Sequence, residues 1–241
     1  MKRDYDYTYE WDSRYCYPNS FVLRNKLNIT NREELDVVER KITSLRMAEI
    51  SKKPVRGNFD LKHLQDIHRH IFKDIYEWAG ELRTVNISKG NTFYNQMYIS
   101  DGFKDIFSKL RKEKFLIGTV QEDIAGKLAY YLSEINVIHP FREGNGRTQR
   151  IMIEYLAQVA GYDVDFYNIS QTEMVEASVA SFNCDYIKMI EIFKKITSSI
   201  TKQEQESFIN QISTINSPVL RAYQKLNGIN SMLEDKWELE K

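Results

Sequence analysis

The chain has 241 residues, enough for one domain with a sizeable core and a short appendage. Hydrophobic residues make up 42% and charged residues 28%, which excludes a disordered chain; 34 basic residues balance 34 acidic ones, so no overall field draws it to nucleic acid or an anionic membrane. Two distant cysteines, Cys16 and Cys184, argue against a disulfide scaffold or a structural zinc and suit a reducing compartment. The opening MKRDYDYTYEWDSRY lacks an apolar signal core, and no apolar run reaches membrane-spanning length. The expectation is a soluble, cytoplasmic protein; secretion as an effector by a non-classical route would leave no mark on these features.

The tyrosines at 5, 7, 9, 15 and 17 point to a tyrosine-rich strand or packing arm, with self-modification sites as the alternative. Thr30 and Glu33 form a capping-box pattern that predicts a helix with Leu35, Val38, Ile42 and Leu45 on one face. A second helix is predicted from about Asp60, striped by Leu61, Leu64, His68, Ile71, Phe72 and Ile75 and stopping near Gly80. His68 lies on that apolar stripe as a core residue, whereas His63 and His70 fall on its outer surface.

Residues 83–98, RTVNISKGNTFYNQMY, leave the helical period. Val85 and Ile87 alternate with polar residues, Gly90 and Asn91 supply turn chemistry, and a small β-hairpin is predicted. Helical spacing returns with Phe103, Ile106, Phe107 and Leu110, then in a strong helix over 121–137. After HPFREGNG comes a helix apolar on most sides, RTQRIMIEYLAQVAG, suited to the centre of a bundle. Ser170 and Glu173 open another helix leading to Asn183, Tyr186 begins the next, and Ser217-Pro218 starts one of two final helices. The fold class is mainly α with one hairpin. Residues 1–55 form an arm and helix packed on a core at 56–198, and 199–241 a helical extension.

The chemistry concentrates in HPFREGNGRTQR. Gly144 and Gly146 around Asn145 allow a backbone anion nest at the start of the following helix, where unpaired N–H groups and the dipole favour a phosphate. Arg147 and Arg150, three residues apart, share a face of that helix, and their forks suit phosphate oxygens. Two cations at a helix N-terminus are unfavourable by roughly 0.3–1 kcal/mol each, which a bound anion would offset. Glu143 adds a carboxylate fit for Mg²⁺ bridging phosphates, and His139 an imidazole able to take a proton near neutral pH.

This string resembles, at every fixed position, the signature of the Fic family in its bacterial type. The likeness extends to YEWAGELRTVNISKG and YCYPNSFVLRNKLNI, and spans about residues 15–193. The resemblance implies a Fic-fold helical bundle with a flap over the active site, and transfer of AMP from ATP to a Ser, Thr or Tyr hydroxyl of a target protein, self-AMPylation included. By it, His139 is the general base, Glu143 holds Mg²⁺, Gly144, Asn145 and Gly146 form the anion hole, and Arg147 and Arg150 grip the outer phosphates. Ile87, Ser88, Lys89 and Gly90 match the flap that docks an extended target segment by strand addition. Asn183 and Tyr186 lie where the family builds part of its adenine pocket, with buried structural roles as the alternative.

Many Fic enzymes are restrained by a glutamate that pairs with the last arginine of the motif, here Arg150. Thr30 and Glu34 supply the spacing of that inhibitory pattern, without the Gly or Asn that should follow; the alternative is an ordinary acidic residue at a helix start. A Fic enzyme using UMP, phosphocholine or phosphate transfer, or a silent interaction protein, are the other functions considered, and a homo-oligomer is compatible with all of them.

Overall fold

A computed structural model of the chain describes residues 8–9, 12–89, 91–214 and 216–228. Its helices are α1 (Arg32–Lys52), α2 (Leu61–Phe72), α3 (Ile99–Lys112), α4 (Gln121–Ile138), α5 (Asn145–Ala160), α6 (Gln171–Phe182), α7 (Ile187–Ile196), α8 (Lys202–Ile212) and α9 (Pro218–Leu226). Strands β1 (Thr8–Tyr9), β2 (Ile87–Lys89) and β3 (Asn91–Thr92) form one small sheet, and β4 (Tyr162–Val164) with β5 (Thr197–Ser199) another.

Helix α5 is the axis. Residues from Ile151 to Ala160 are buried on nearly every side, and α2, α4, α8 and β4 pack around it. This is why its sequence is apolar all round. Gly161, at φ 99°, closes it with a left-handed cap, a conformation that favours glycine. Helix α4 packs alongside, with Ile124, Leu128, Tyr131, Leu132 and Ile135 inward as the spacing predicts. The capping box at Ser170 and Glu173 is present, and Pro218 starts α9 directly after Ser217. The C-terminal helices lie against the bundle, with Ile209, Ile212 and Val219 buried.

Several expectations are corrected. The N-cap of α1 is Asn31, whose side chain accepts the Glu34 N–H, and not Thr30. The buried face of α1 runs through Leu35, Thr43 and Ile50, while Leu45 is 69% exposed. Helix α2 stops at Phe72, and turns carry the chain on to Gly80. His63 is buried and not on the surface: its ring bonds the Val55 carbonyl and packs where a Gly57 side chain would stand. The β4–β5 pair, too short to show a period of its own, went unforeseen.

The hairpin is real but slight. β2 pairs antiparallel with β3, Ser88 opposite Thr92, and on its other edge with β1, Thr8 opposite Ser88 and Tyr9 opposite Ile87. Tyr5, Tyr7 and Gly90 lie outside the described residues.

Candidate active site

The site is the junction of α4, the loop after it and the start of α5. His139 caps α4 in the left-handed region at φ 50°, a conformation costly for a residue with a side chain, and tolerated where surroundings fix it. They do so here. Buried Arg83 donates from Nε to the His139 carbonyl (2.8 Å) and from a terminal nitrogen to that of Ile138 (3.2 Å), and its own N–H bonds Pro140. The His139 ring places Nδ1 3.1 Å from the Asn136 carbonyl, which assigns the proton to Nδ1 and the lone pair to Nε2. Phe93, the residue after β3, stacks on the ring at 3.8 Å.

Asn145 ties the loop to itself. Its Oδ1 accepts the Phe141 N–H (2.8 Å) and its Nδ2 donates to the Phe141 carbonyl (2.7 Å), both bonds buried. Phe141 in turn stacks on His68 at 3.9 Å. His68 accepts the Gly80 N–H at Nδ1 (2.8 Å) and donates from Nε2 to the Glu143 carbonyl (3.0 Å). Burial pushes its pKa down to about 3, so it stays neutral and acts as a strut.

Gly144 lies at φ 81° with Phe72 so close that an added Cβ would sit 2.2 Å from the ring. Gly146 differs from the expected nest glycine: it lies inside the first turn of α5. The first helical bond is Thr148 N–H to Gly144 carbonyl, leaving the N–H groups of Asn145, Gly146 and Arg147 without intrahelical acceptors. The anion site is therefore a helix N-terminus entered through one strained glycine.

Glu143 is half-buried, and its Oε1 accepts the Gly144 N–H (2.9 Å). Burial, and then the nearby Glu39, raise its pKa. The two arginines are not equivalent. Arg147 is held by Glu39 (2.6 Å) and Thr43 (3.1 Å) of α1 and lies over the Phe72 ring, with Glu143 at 3.7 Å. Arg150 makes no ion pair among the described residues, and its Nη1 lies 3.4 Å from where a Gly146 Cβ would stand. Burial, then Arg147, lower its pKa.

The Fic/DOC family model matches residues 58–157, the stretch from just before α2 to near the end of α5. A relative from Escherichia coli, described as probable protein adenylyltransferase Fic, is 38% identical over 192 residues, covering 79% of this chain and 94% of that one. The chain belongs to the Fic/DOC family. The protein adenylyltransferase VbhT of Bartonella schoenbuchensis is also 38% identical, over 70% of this chain; the chain spans 35% of that longer relative. Among solved structures, the Fic domain of a VirB-translocated Bep effector from Bartonella quintana, with bound ADP, matches with a TM-score of 0.74 at 30% identity, covering 79% of this chain and 96% of that one. BepC from Bartonella tribocorum, with bound AMPPNP, matches with a TM-score of 0.73 at 26% identity, covering 78% and 97%.

Within this Fic fold the structure gathers His139, Glu143, Gly144, Asn145, Gly146, Arg147 and Arg150 on one loop and the first two turns of α5. The hairpin is tied to the same place by Arg83, which also bonds the Val85 and Tyr94 carbonyls, and by the Tyr94 N–H to Val137. Ile87 is buried. Tyr186 is half-buried, its hydroxyl bonded to Glu134 of α4 (2.8 Å), and Asn183 is the exposed cap of α6. Glu34 is exposed in the first turn of α1 and Thr30 is exposed before it; neither pairs with Arg150. The expected pairing of Glu34 with Arg150 is thus absent among the described residues, and the acidic group of α1 that enters the site is Glu39, bonded to Arg147 and to the Tyr76 hydroxyl. Glu39, Thr43, Arg83 and Phe93 were not singled out from the sequence. The i, i+4, i+8 spacing of Leu35, Glu39 and Thr43 was the available signal for the first two.

No helix among the described residues is long and apolar enough to cross a membrane.

Proposed function

We propose that this Fic protein is a protein adenylyltransferase, moving AMP from ATP to a Ser, Thr or Tyr hydroxyl of a target protein, its own chain included. The observation that carries the reading is the His139 ring, its Nδ1 committed to the Asn136 carbonyl, beside the open N-terminus of α5. With Nδ1 protonated, Nε2 is the acceptor for the proton of an incoming hydroxyl. The hydroxyl oxygen then forms a bond to the α-phosphorus of ATP, the bond from that phosphorus to the bridging oxygen breaks, and pyrophosphate leaves. Charge on the phosphoryl oxygens meets the N–H groups of Asn145, Gly146 and Arg147 and the guanidinium of Arg150.

Glu143 is the residue that would hold Mg²⁺. One of its oxygens is used by Gly144 N–H, and no hydrogen bond forms to the other among the described residues. Mg²⁺ takes one or two protein carboxylates when phosphates and water complete its shell, so a lone Glu143 is a fitting donor set; the ion would neutralise phosphate charge. The flap at Ile87, Ser88, Lys89 and Gly90 would dock an extended target segment, and Asn183 and Tyr186 would border the adenine. The relatives described as adenylyltransferases, and the Fic domains holding ADP and AMPPNP, support this choice of nucleotide. The same reading takes 56–198 as the catalytic core, with an N-terminal arm and a C-terminal extension, in a cytoplasmic protein that acts on proteins and not on nucleic acid.

The test is transfer of label from ATP with Mg²⁺ in lysate, comparing the wild type with His139→Ala. Label from the α-position, reduced about 10²- to 10⁴-fold in the variant, is expected. Label from the γ-position alone would replace this reading with phosphate transfer, and label from UTP but not ATP would change the donor.

A further inference from the structure

Glu39 enters the active site from a helix outside the motif and takes hold of one of its two arginines. Arg147 spends both terminal nitrogens on α1: Nη2 on Glu39 Oε1 at 2.6 Å and Nη1 on Thr43 Oγ1 at 3.1 Å. Its next carboxylate is Glu143, 3.7 Å from the same Nη2. Two carboxylates therefore compete for one guanidinium, and Glu39 has the shorter contact. Both glutamates are shielded, with side chains 13% and 27% exposed, so water screens the competition weakly. Thr43 donates its own hydroxyl proton to the Glu39 carbonyl of α1, which turns its oxygen lone pairs toward Arg147. The Tyr76 hydroxyl donates to the other Glu39 oxygen, so the carboxylate is anchored from two sides. Without Glu39, the buried Arg147 charge would have one carboxylate left within reach, and a small side-chain rotation would close the remaining gap to Glu143.

We infer that Glu39 is a positioning residue: it holds Arg147 on α1 and so keeps that arginine from closing on Glu143, leaving the Glu143 carboxylate open to the divalent cation that accompanies the nucleotide phosphates. The inference rests on the assignment of Glu143 to the cation. It also divides the arginine pair. Arg147 is chiefly a strut between α1 and α5, and Arg150, with no ion pair among the described residues, is the clamp for phosphate.

The experiment is equilibrium binding of a non-hydrolysable ATP analogue to the full chain, with and without Mg²⁺, by calorimetry. In the wild type Mg²⁺ should tighten binding. Glu39→Gln keeps size but removes charge, and should reduce that tightening about tenfold, the scale typical for loss of a group that orients a metal ligand. Binding without Mg²⁺ should change little. Glu39→Asp keeps the charge and should retain more of the Mg²⁺ effect than Glu39→Gln; a purely steric role for Glu39 predicts the reverse order. In an Arg147→Ala background, Glu39→Gln should have no further effect, because the group it restrains is gone. The inference is overturned if Glu39→Gln leaves the Mg²⁺ effect intact, or if it causes the same loss without Arg147. If Mg²⁺ fails to tighten binding in the wild type, the assignment of Glu143 falls first and takes the inference with it. Thermal melting of each variant separates these results from loss of fold, and Thr43→Val, which leaves the Glu39 pair in place, should keep most of the Mg²⁺ effect.

Discussion

The loop between α4 and α5 and the hairpin tied to it by Arg83 are held in opposite ways. In the loop the backbone is braced from several sides: Asn145 brackets Phe141, His68 holds the Glu143 carbonyl, and Gly144 lies against Phe72. The hairpin has strands of two and three residues, and Thr92, Tyr94 and Met97 face solvent. Charge stabilisation needs donors fixed before the reaction, because donors that reorganise during it give much of the benefit back. Docking by strand addition needs the reverse, a backbone edge whose last partner is brought by the target. The difference teaches where substitutions act. Changes in the loop should damage fold and chemistry together, and changes in the hairpin should move the choice of partner.

The largest effect is expected at Gly144. Gly144→Ala places a methyl group 2.2 Å from Phe72 at φ 81°, so both the backbone strain and the clash act against the fold. Strain alone is of order 1–3 kcal/mol. Melting temperature should fall by roughly 5 °C or more and nucleotide binding should be lost with it. A variant that melts like the wild type would mean the loop is as pliable as the hairpin, and the contrast would fail.

Arg83 is the bridge between the two regions and comes next. Its guanidinium serves the carbonyls of Val85, Tyr94, Ile138 and His139, and burial lowers its pKa to about 10. Arg83→Met keeps bulk but strands these acceptors, at about 1–3 kcal/mol for each that water cannot reach. Both stability and transfer should fall. If only target modification falls while ATP binding persists, Arg83 belongs to the hairpin alone.

The pH dependence of stability isolates the loop. His68 titrates at about 3 when folded, because burial opposes its charge, and near 6.5 when unfolded. Below pH 6.5 the unfolded chain takes up a proton that the native chain refuses, so stability is lost as pH falls from about 6.5 towards 3. Between pH 6.5 and 5 the loss should be about 2 kcal/mol. Glu154, whose burial raises its pKa to about 7, titrates in the same window with the opposite sign, so the measurement is denaturant unfolding of the wild type beside His68→Gln at both pH values; the variant should lack the His68 loss.

The sequence made the two regions unequally legible as well. Twelve consecutive residues hold the histidine, the carboxylate, the glycines and both arginines, so the chemistry they offer could be read without the fold. Helices α4 and α5 were plain because their apolar positions repeat over four turns and Gly161 ends the second. Glu39 was hidden for a physical reason. A charge on the inner face of a helix breaks the apolar stripe, and phasing α1 by Leu45 turned that face outward. His63 was misplaced because its burial depends on Val55 and Gly57, which precede the helix. Arg83 and Phe93 act through backbone carbonyls and a ring stack, and neither kind of partner carries a sequence pattern.

The smallest effect on the fold, and the sharpest on partner choice, is expected at β1. Thr8 and Tyr9 already pair with Ser88 and Ile87, so one edge of β2 is filled by the chain's own N-terminal segment. A target adding a strand there must displace it. Thr8→Pro removes an N–H and sets a ring against the neighbouring strand, which an edge pairing of two residues cannot absorb. Stability should change by no more than about 1 kcal/mol, since so short a strand makes few ladder bonds and buries little. Each ladder hydrogen bond is worth about 1 kcal/mol net, so freeing the edge should raise labelling of other proteins in lysate up to about fivefold. His139 and its loop stay untouched, so binding of ATP should not move. If labelling of other proteins stays level or falls, targets use a different edge, and the hairpin is as fixed in its partner as the loop is in its geometry.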